Sequence, residues 1–193
     1  MKSISVFCAS AKGDNPIYVE QAFLLGKLIA SKGYTLIYGG AAIGCMGAVA
    51  RGALKNNGKV IGVLPEFLNR KEISQIGLTE LIMVESMHER KLKMNDLSDG
   101  SITIPGGFGT LEEFFEIITW GQLGLHQKPT ALLNVNGYYD FLIAQLKHMN
   151  SEKLLKDKHM NMLLIETEMG QLLEKMENYT PPALEKWLSP KTT

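Results

Sequence analysis

Cysteine is scarce: Cys8 and Cys45 are the only two, with no C-x-x-C spacing and no His/Cys cluster. That excludes a disulfide framework and a structural zinc site, so reduced thiols and no metal are expected. Net charge is absent as well. Twenty basic and twenty acidic residues cancel, so no long-range field recruits nucleic acid or an anionic membrane, and any anion must be bound locally. No apolar run is long enough to span a bilayer, and no basic, apolar leader precedes the first strand, which makes a cytoplasmic protein the expectation. Three motifs are missing too. No G-K-[S/T] follows a glycine run, which removes a P-loop ATPase. Ser10 lies in no G-x-S-x-G elbow, which removes a Ser-His-Asp hydrolase. Gly40, Gly44 and Gly47 are separated by three and two residues rather than the one and two of G-x-G-x-x-G, which argues against a classical dinucleotide site even though Glu66 lies where a ribose-binding acid would fall.

What remains is an alternation of elements over 193 residues. Apolar β-type runs at 1–8, 34–38, 60–64, 80–84, 101–104, 129–134 and 162–165 are separated by helical patterns at 16–31, 48–54, 87–97, 111–120, 138–149 and 168–177, the last with Thr167 as candidate cap. Residues 65–74 are expected to form an irregular polar connection. Strand–helix alternation implies an α/β fold, a Rossmann-like doubly wound, mainly parallel sheet with helices on both faces. Residues 1–182 are taken as one domain, followed by a tail, 183–193, with a small amphipathic patch at Leu184, Trp187 and Leu188. Ten methionines point to packing or an apolar subunit interface.

The chain is organised around Pro105-Gly106-Gly107-Phe108-Gly109-Thr110-Leu111-Glu112-Glu113, a strand–turn–helix junction. Glycines there let the backbone approach a ligand, and the N–H groups of Gly107 to Thr110, with the Thr110 hydroxyl and the positive helix end, make a phosphate cradle. Glu112 and Glu113 are expected in the first helical turn, close enough to act on a phosphorylated ligand; the bland alternative is that they only complement the helix dipole. In a doubly wound sheet, ligands sit beyond the carboxyl ends of the strands, so the loops carrying Ser10, Gly40, Met87 and Gly106 should converge. Arg90 then faces the cradle with a planar, permanently charged fork, while Lys91 beside it serves phosphate or is simply solvated. His88 reads as a polar helix-start residue. Glu116 and Thr119, farther along the central helix, line the pocket or form a solvated face.

Taken together, Met87-His88-Glu89-Arg90-Lys91 and the Pro105–Glu113 run resemble the LOG ("lonely guy") family of cytokinin riboside 5′-monophosphate phosphoribohydrolases, whose signature is P-G-G-x-G-T-x-x-E preceded by M-H-x-R-K. The likeness extends from Cys8-Ala9-Ser10 to Asn134-Val135-Asn136-Gly137-Tyr138-Tyr139, with departures at Ala9 and Ala41, where glycine is usual in the family. The resemblance implies a homodimer that hydrolyses the N-glycosidic bond of a purine nucleoside 5′-monophosphate, AMP or an N6-modified AMP, to free base and ribose 5-phosphate. It implies Glu113 as the carboxylate beside the sugar, and Arg90 either on the leaving base or holding sugar and phosphate. Gly106, Gly107, Gly109 and Thr110 would take the phosphate, assisted by Lys91 and by Arg70, the latter from the same or the neighbouring subunit. Many members carried a lysine decarboxylase label, which implies pyridoxal phosphate; no residue pattern here suggests a Schiff-base lysine, and no cofactor is expected. Two alternatives stay open: a general nucleotide nucleosidase acting on AMP or pyrimidine nucleotides, and a nucleotide or cofactor carrier without chemistry.

Overall fold

In the computed structural model, which describes residues 1–68 and 75–183, seven parallel strands form one sheet. The chain runs β1 (Ser3–Phe7), α1 (Ile17–Ser31), β2 (Thr35–Tyr38), α2 (Gly44–Leu54), β3 (Val60–Pro65), β4 (Glu80–Val84), α3 (Met87–Leu97), β5 (Ser101–Thr103) and α4 (Phe108–Gln122). It continues with β6 (Thr130–Leu133), a single 3-10 turn (Val135–Gly137), α5 (Asp140–Ser151), α6 (Asp157–Met160), β7 (Leu163–Glu166) and α7 (Met169–Glu177). Strand order is β4-β3-β2-β1-β5-β6-β7. The chain therefore winds outward from β1 to β4, then returns to the other side of β1 with β5, and the crevice between β1 and β5 is the topological switch point.

The period-2 alternation of the strands sorts side chains to two layers. Ile4, Val6, Leu36 and Tyr38 join α1, α2 and α7 in one core cluster, whereas Phe7 and Ile37 face Met94 of α3 and Ile117 of α4 in another. Each fully buried aliphatic side chain, such as Leu25 or Ile29, contributes about 1.5–3 kcal/mol. Helices α1 and α2 cross where each lacks a side chain: a methyl on Gly26 would overlap the Val49 carbonyl, and one on Gly52 the Phe23 carbonyl.

Several sequence expectations shift. Helix α2 begins at Gly44 rather than at residue 48, so Gly44, Cys45 and Gly47 belong to its first turn. Helix α4 begins at Phe108, which places Glu112 and Glu113 in the second turn; the first turn holds no acid, because Phe108, Gly109 and Thr110 are themselves helical. Thr167 does not cap α7, whose N-cap is Glu168, without a side-chain bond. The four-residue α6 and the 3-10 turn were unexpected, each too short for a periodicity to register. Arg70 and the tail residues Leu184, Trp187 and Leu188 lie outside the described residues.

Candidate active site

The loop after β1, the start of α2, the first turn of α3 and the start of α4 meet at the switch point around a cleft of about 310 Å³. The two helix N-termini that point toward it are not equivalent. At α2 the Cys45 and Met46 N–H groups donate to the carbonyls of Ala11 (3.2 Å) and Ala9 (3.1 Å), so that end is closed by the chain itself. This closure is a physical reason why the Gly40–Gly47 turn cannot hold a pyrophosphate as a dinucleotide fingerprint does. At α4 the N-cap is Gly107, in extended conformation and without a side-chain cap. The N–H groups of Gly107, Phe108, Gly109 and Thr110 have no protein acceptor among the described residues. These orphan donors and the dipole behind them favour an anion.

Arg90 is set on the cleft by the way α3 starts. Ser86 caps the helix, its hydroxyl accepting from Glu89 N–H at 3.1 Å, while the Glu89 carboxylate accepts from Glu85 N–H at 2.8 Å. The pairing is a close variant of the S-x-x-E capping box. One residue later Arg90 turns inward. Its Nε donates to the Val63 carbonyl at 3.1 Å and its guanidinium donates to Glu113 Oε1 at 2.7 Å, with both side chains buried. A methyl on Gly39 would overlap the guanidinium, so the last turn before α2 is glycine because Arg90 occupies that space. Burial pushes the Glu113 carboxyl above the usual carboxylate range, and the Arg90 guanidinium pulls against it. Removing either partner would leave the other charge buried and uncompensated, at a cost of about 3–5 kcal/mol.

Of the residues picked out by sequence, Ser10, Met87, Arg90, Gly107, Gly109, Thr110 and Glu113 line this cleft. Gly106 stands behind it, packed so closely on Thr110 that a side chain would overlap the threonine, with its carbonyl accepting from the Tyr138 hydroxyl at 2.8 Å. Gly40 has φ +84° and packs on Leu64, so it shapes the turn rather than the wall. Lys91 and Glu112 do not line the cleft; they pair with each other, and Lys91 also meets Glu116 at 2.8 Å. Burial opposes the lysine's charge, but Glu112 and Glu116 outweigh it and its pKa is raised. Glu112, Glu116 and Thr119 recur at helical spacing and therefore share one face of α4, different from the face that bears Glu113. Thr119 is exposed at the edge of a separate cavity with Phe115 and Ile118. His88, also exposed, approaches Glu116 at 3.9 Å.

The apolar walls were not picked out as site residues: Cys8, Ala9, Ala11, Met46 and Leu68. Cys8 and Ala9 were legible only as neighbours of Ser10, and Met46 only through the start of α2. Burial pushes the Cys8 thiol well up, so it serves as wall and not as nucleophile. The arrangement offers an anion cradle, a buried carboxylate held by a guanidinium, and mostly apolar sides. It does not suit pyridoxal phosphate. A Schiff-base lysine must lose its proton, whereas Lys91 is held charged by two carboxylates, and no lysine lines the cleft among the described residues.

Comparison with known proteins follows the same lines. Residues 46–176 match the family model described as "Possible lysine decarboxylase". The chain is 41% identical over 180 residues, 93% of its length and 79% of the relative's, to a rice protein (Oryza sativa subsp. japonica) named "Probable cytokinin riboside 5′-monophosphate phosphoribohydrolase LOGL9". It is 39% identical over 180 residues, 93% of its length and 84% of the relative's, to the Arabidopsis thaliana "Cytokinin riboside 5′-monophosphate phosphoribohydrolase LOG1". Among solved structures, the molybdenum cofactor binding protein from Rippkaea orientalis superposes with a TM-score of 0.70 at 25% identity, covering 92% of this chain and 96% of that one.

Proposed function

We propose that this chain, which belongs to the LOG family, hydrolyses the N-glycosidic bond of N6-modified purine nucleoside 5′-monophosphates, releasing the free cytokinin base and ribose 5-phosphate. The observation that carries the mechanism is the buried Arg90–Glu113 pair on the wall of a cleft whose floor is the uncapped start of α4. The 5′-phosphate is read as seated on the N–H groups of Gly107 to Thr110. Cleavage of the bond to the base leaves positive charge near C1′ of the sugar. Ionised Glu113 stabilises that charge and orients the attacking water, which supplies the hydroxyl at C1′ and returns a proton to the departing base. Arg90 fixes the carboxylate through its 2.7 Å bond and adds a positive field on the side where the base leaves. The walls from Cys8, Met46, Leu68 and Met87 provide the apolar surface that a modified purine would contact.

The protein is further proposed to act as a cytoplasmic homodimer. Leu92 of α3 and Phe115 of α4, 52% and 38% exposed, support an apolar face between copies. Light scattering that gives twice the chain mass is the expected result, and the mass of a single chain would contradict it.

A second reading, a carrier that holds a nucleotide-like cofactor without cleaving it, draws on the fold shared with the molybdenum cofactor binding protein. Glu113→Gln separates the two. An enzyme keeps nucleotide binding while base release falls by about 10²-fold or more. A carrier binds and releases no base with either side chain.

A further inference from the structure

The turn after β6 carries two tyrosine hydroxyls that the proposed reaction does not use. Tyr138 donates to the Gly106 carbonyl at 2.8 Å, and Tyr139 donates to the Ile104 carbonyl at 2.9 Å. The two bonds differ in what shares the peptide plane with the carbonyl. In a trans peptide, C=O and N–H point in opposite directions, and none of the described peptides is cis. The Gly106 carbonyl shares its plane with the Gly107 N–H, so a hydroxyl holding one turns the other to the opposite side. The two sides are distinct places. Gly106 and Tyr138 border a side pocket of about 170 Å³, whereas Gly107 also faces the main cleft beside Gly109 and Thr110. The Ile104 carbonyl shares its plane with the nitrogen of Pro105, which has no N–H to aim.

The Tyr138 hydroxyl is itself held in place. Its ring packs edge-on against Tyr18, with centroids 5.4 Å apart, and against Tyr139 at 4.9 Å. The backbone beneath it is clamped by Asn134, which accepts from Tyr139 N–H and donates to Asp140, both at 2.7 Å. The preceding peptide is fixed as well, since the Pro105 carbonyl accepts from Ala9 N–H at 3.3 Å.

We propose that Tyr138 is a positioning residue for the anion cradle: it locks the Gly106–Gly107 peptide so that the Gly107 N–H is presented to the 5′-phosphate. The proposal rests on the reading of the cleft as a nucleotide site. Tyr138 touches no substrate atom; it acts through Gly107.

The test is the ratio of AMP to adenosine affinity, measured by calorimetry on the full chain, for wild type, Tyr138→Phe and Tyr139→Phe. Tyr138 is 42% exposed, and the phenylalanine keeps its ring contacts, so this variant retains the fold. The expected result is an AMP preference about tenfold smaller in Tyr138→Phe, the effect of misdirecting one hydrogen bond to a charged oxygen. Adenosine affinity stays unchanged, and Tyr139→Phe loses thermal stability without losing the preference. A ratio within twofold of wild type in Tyr138→Phe overturns the proposal. So does an equal loss in Tyr139→Phe, or a wild-type protein with no preference for AMP. Wild-type protein that prefers AMP yet releases no base defeats the phosphoribohydrolase reading alone, because the binding ratios still decide the role of Tyr138.

Discussion

Glu113 is a carboxylate asked to be ionised in a place that discourages ionisation. It is buried, and burial raises its pKa, while the Arg90 guanidinium 2.7 Å away, with a smaller contribution from Lys91, opposes the shift. The proposed chemistry needs the charged form, so activity is lost as pH falls through that raised pKa. The acid limb of kcat/KM is therefore expected at higher pH than the ~4.3 of an unperturbed glutamate. In Arg90→Met the strongest opposing contact among the described residues is removed, and the limb moves higher still. A limb at the ordinary glutamate position in both proteins would disconnect Glu113 from the titrating step. Gly39 tests the same pair from behind. Gly39→Ala puts a methyl where the guanidinium lies, and a displacement of the pair by about 1 Å is expected to lower turnover by up to about 10²-fold. Nucleotide-free thermal stability would change far less, since the residue precedes α2 and the atoms nearest its methyl are the ends of the Arg90 and Met46 side chains.

At the scale of elements, two features deliver that pair to the cleft, and both have measurable energies. Ser86 starts α3, and Ser86→Ala should cost about 1 kcal/mol, read as a shift in the urea midpoint with unchanged slope. The α1–α2 crossing is tighter. Gly26→Ala should cost about 1–3 kcal/mol, because its methyl meets the Val49 carbonyl rather than a side chain that can move. The elements themselves were legible in the sequence, since each strand and most helices have a clear period. Their azimuth was not. Arg90 and Lys91 are adjacent in sequence, yet one turns into the cleft and the other toward Glu112 and Glu116, and only the seating of α3 on the sheet decides which. The same limit placed Thr119 in the expected site when it belongs to the far face of α4. The role of Gly39 depends on a residue about fifty positions away, which local pattern cannot reveal.

For the whole molecule, the strand order does what the motif spacing implied. It brings the loops after β1 and β5 side by side, so a cysteine-containing loop near the N-terminus and the glycine turn at residues 105–109 form one wall. Cys8 and Cys45 are both buried and free, with thiols pushed up by burial. Alkylating reagents should therefore label neither in the native state and both once denaturant unfolds the sheet; rapid native labelling would contradict the packing at the switch point. The convergence of Ser10, Met87, Arg90 and Glu113 could be anticipated because doubly wound sheets gather their loops at one edge. The most direct measurement is the incubation of wild-type protein with isopentenyladenosine 5′-monophosphate and, in parallel, with AMP, quantifying free base and ribose 5-phosphate. Equimolar isopentenyladenine and ribose 5-phosphate, formed faster than adenine from AMP, is the predicted result. Tight binding of both nucleotides with no base released from either would contradict it.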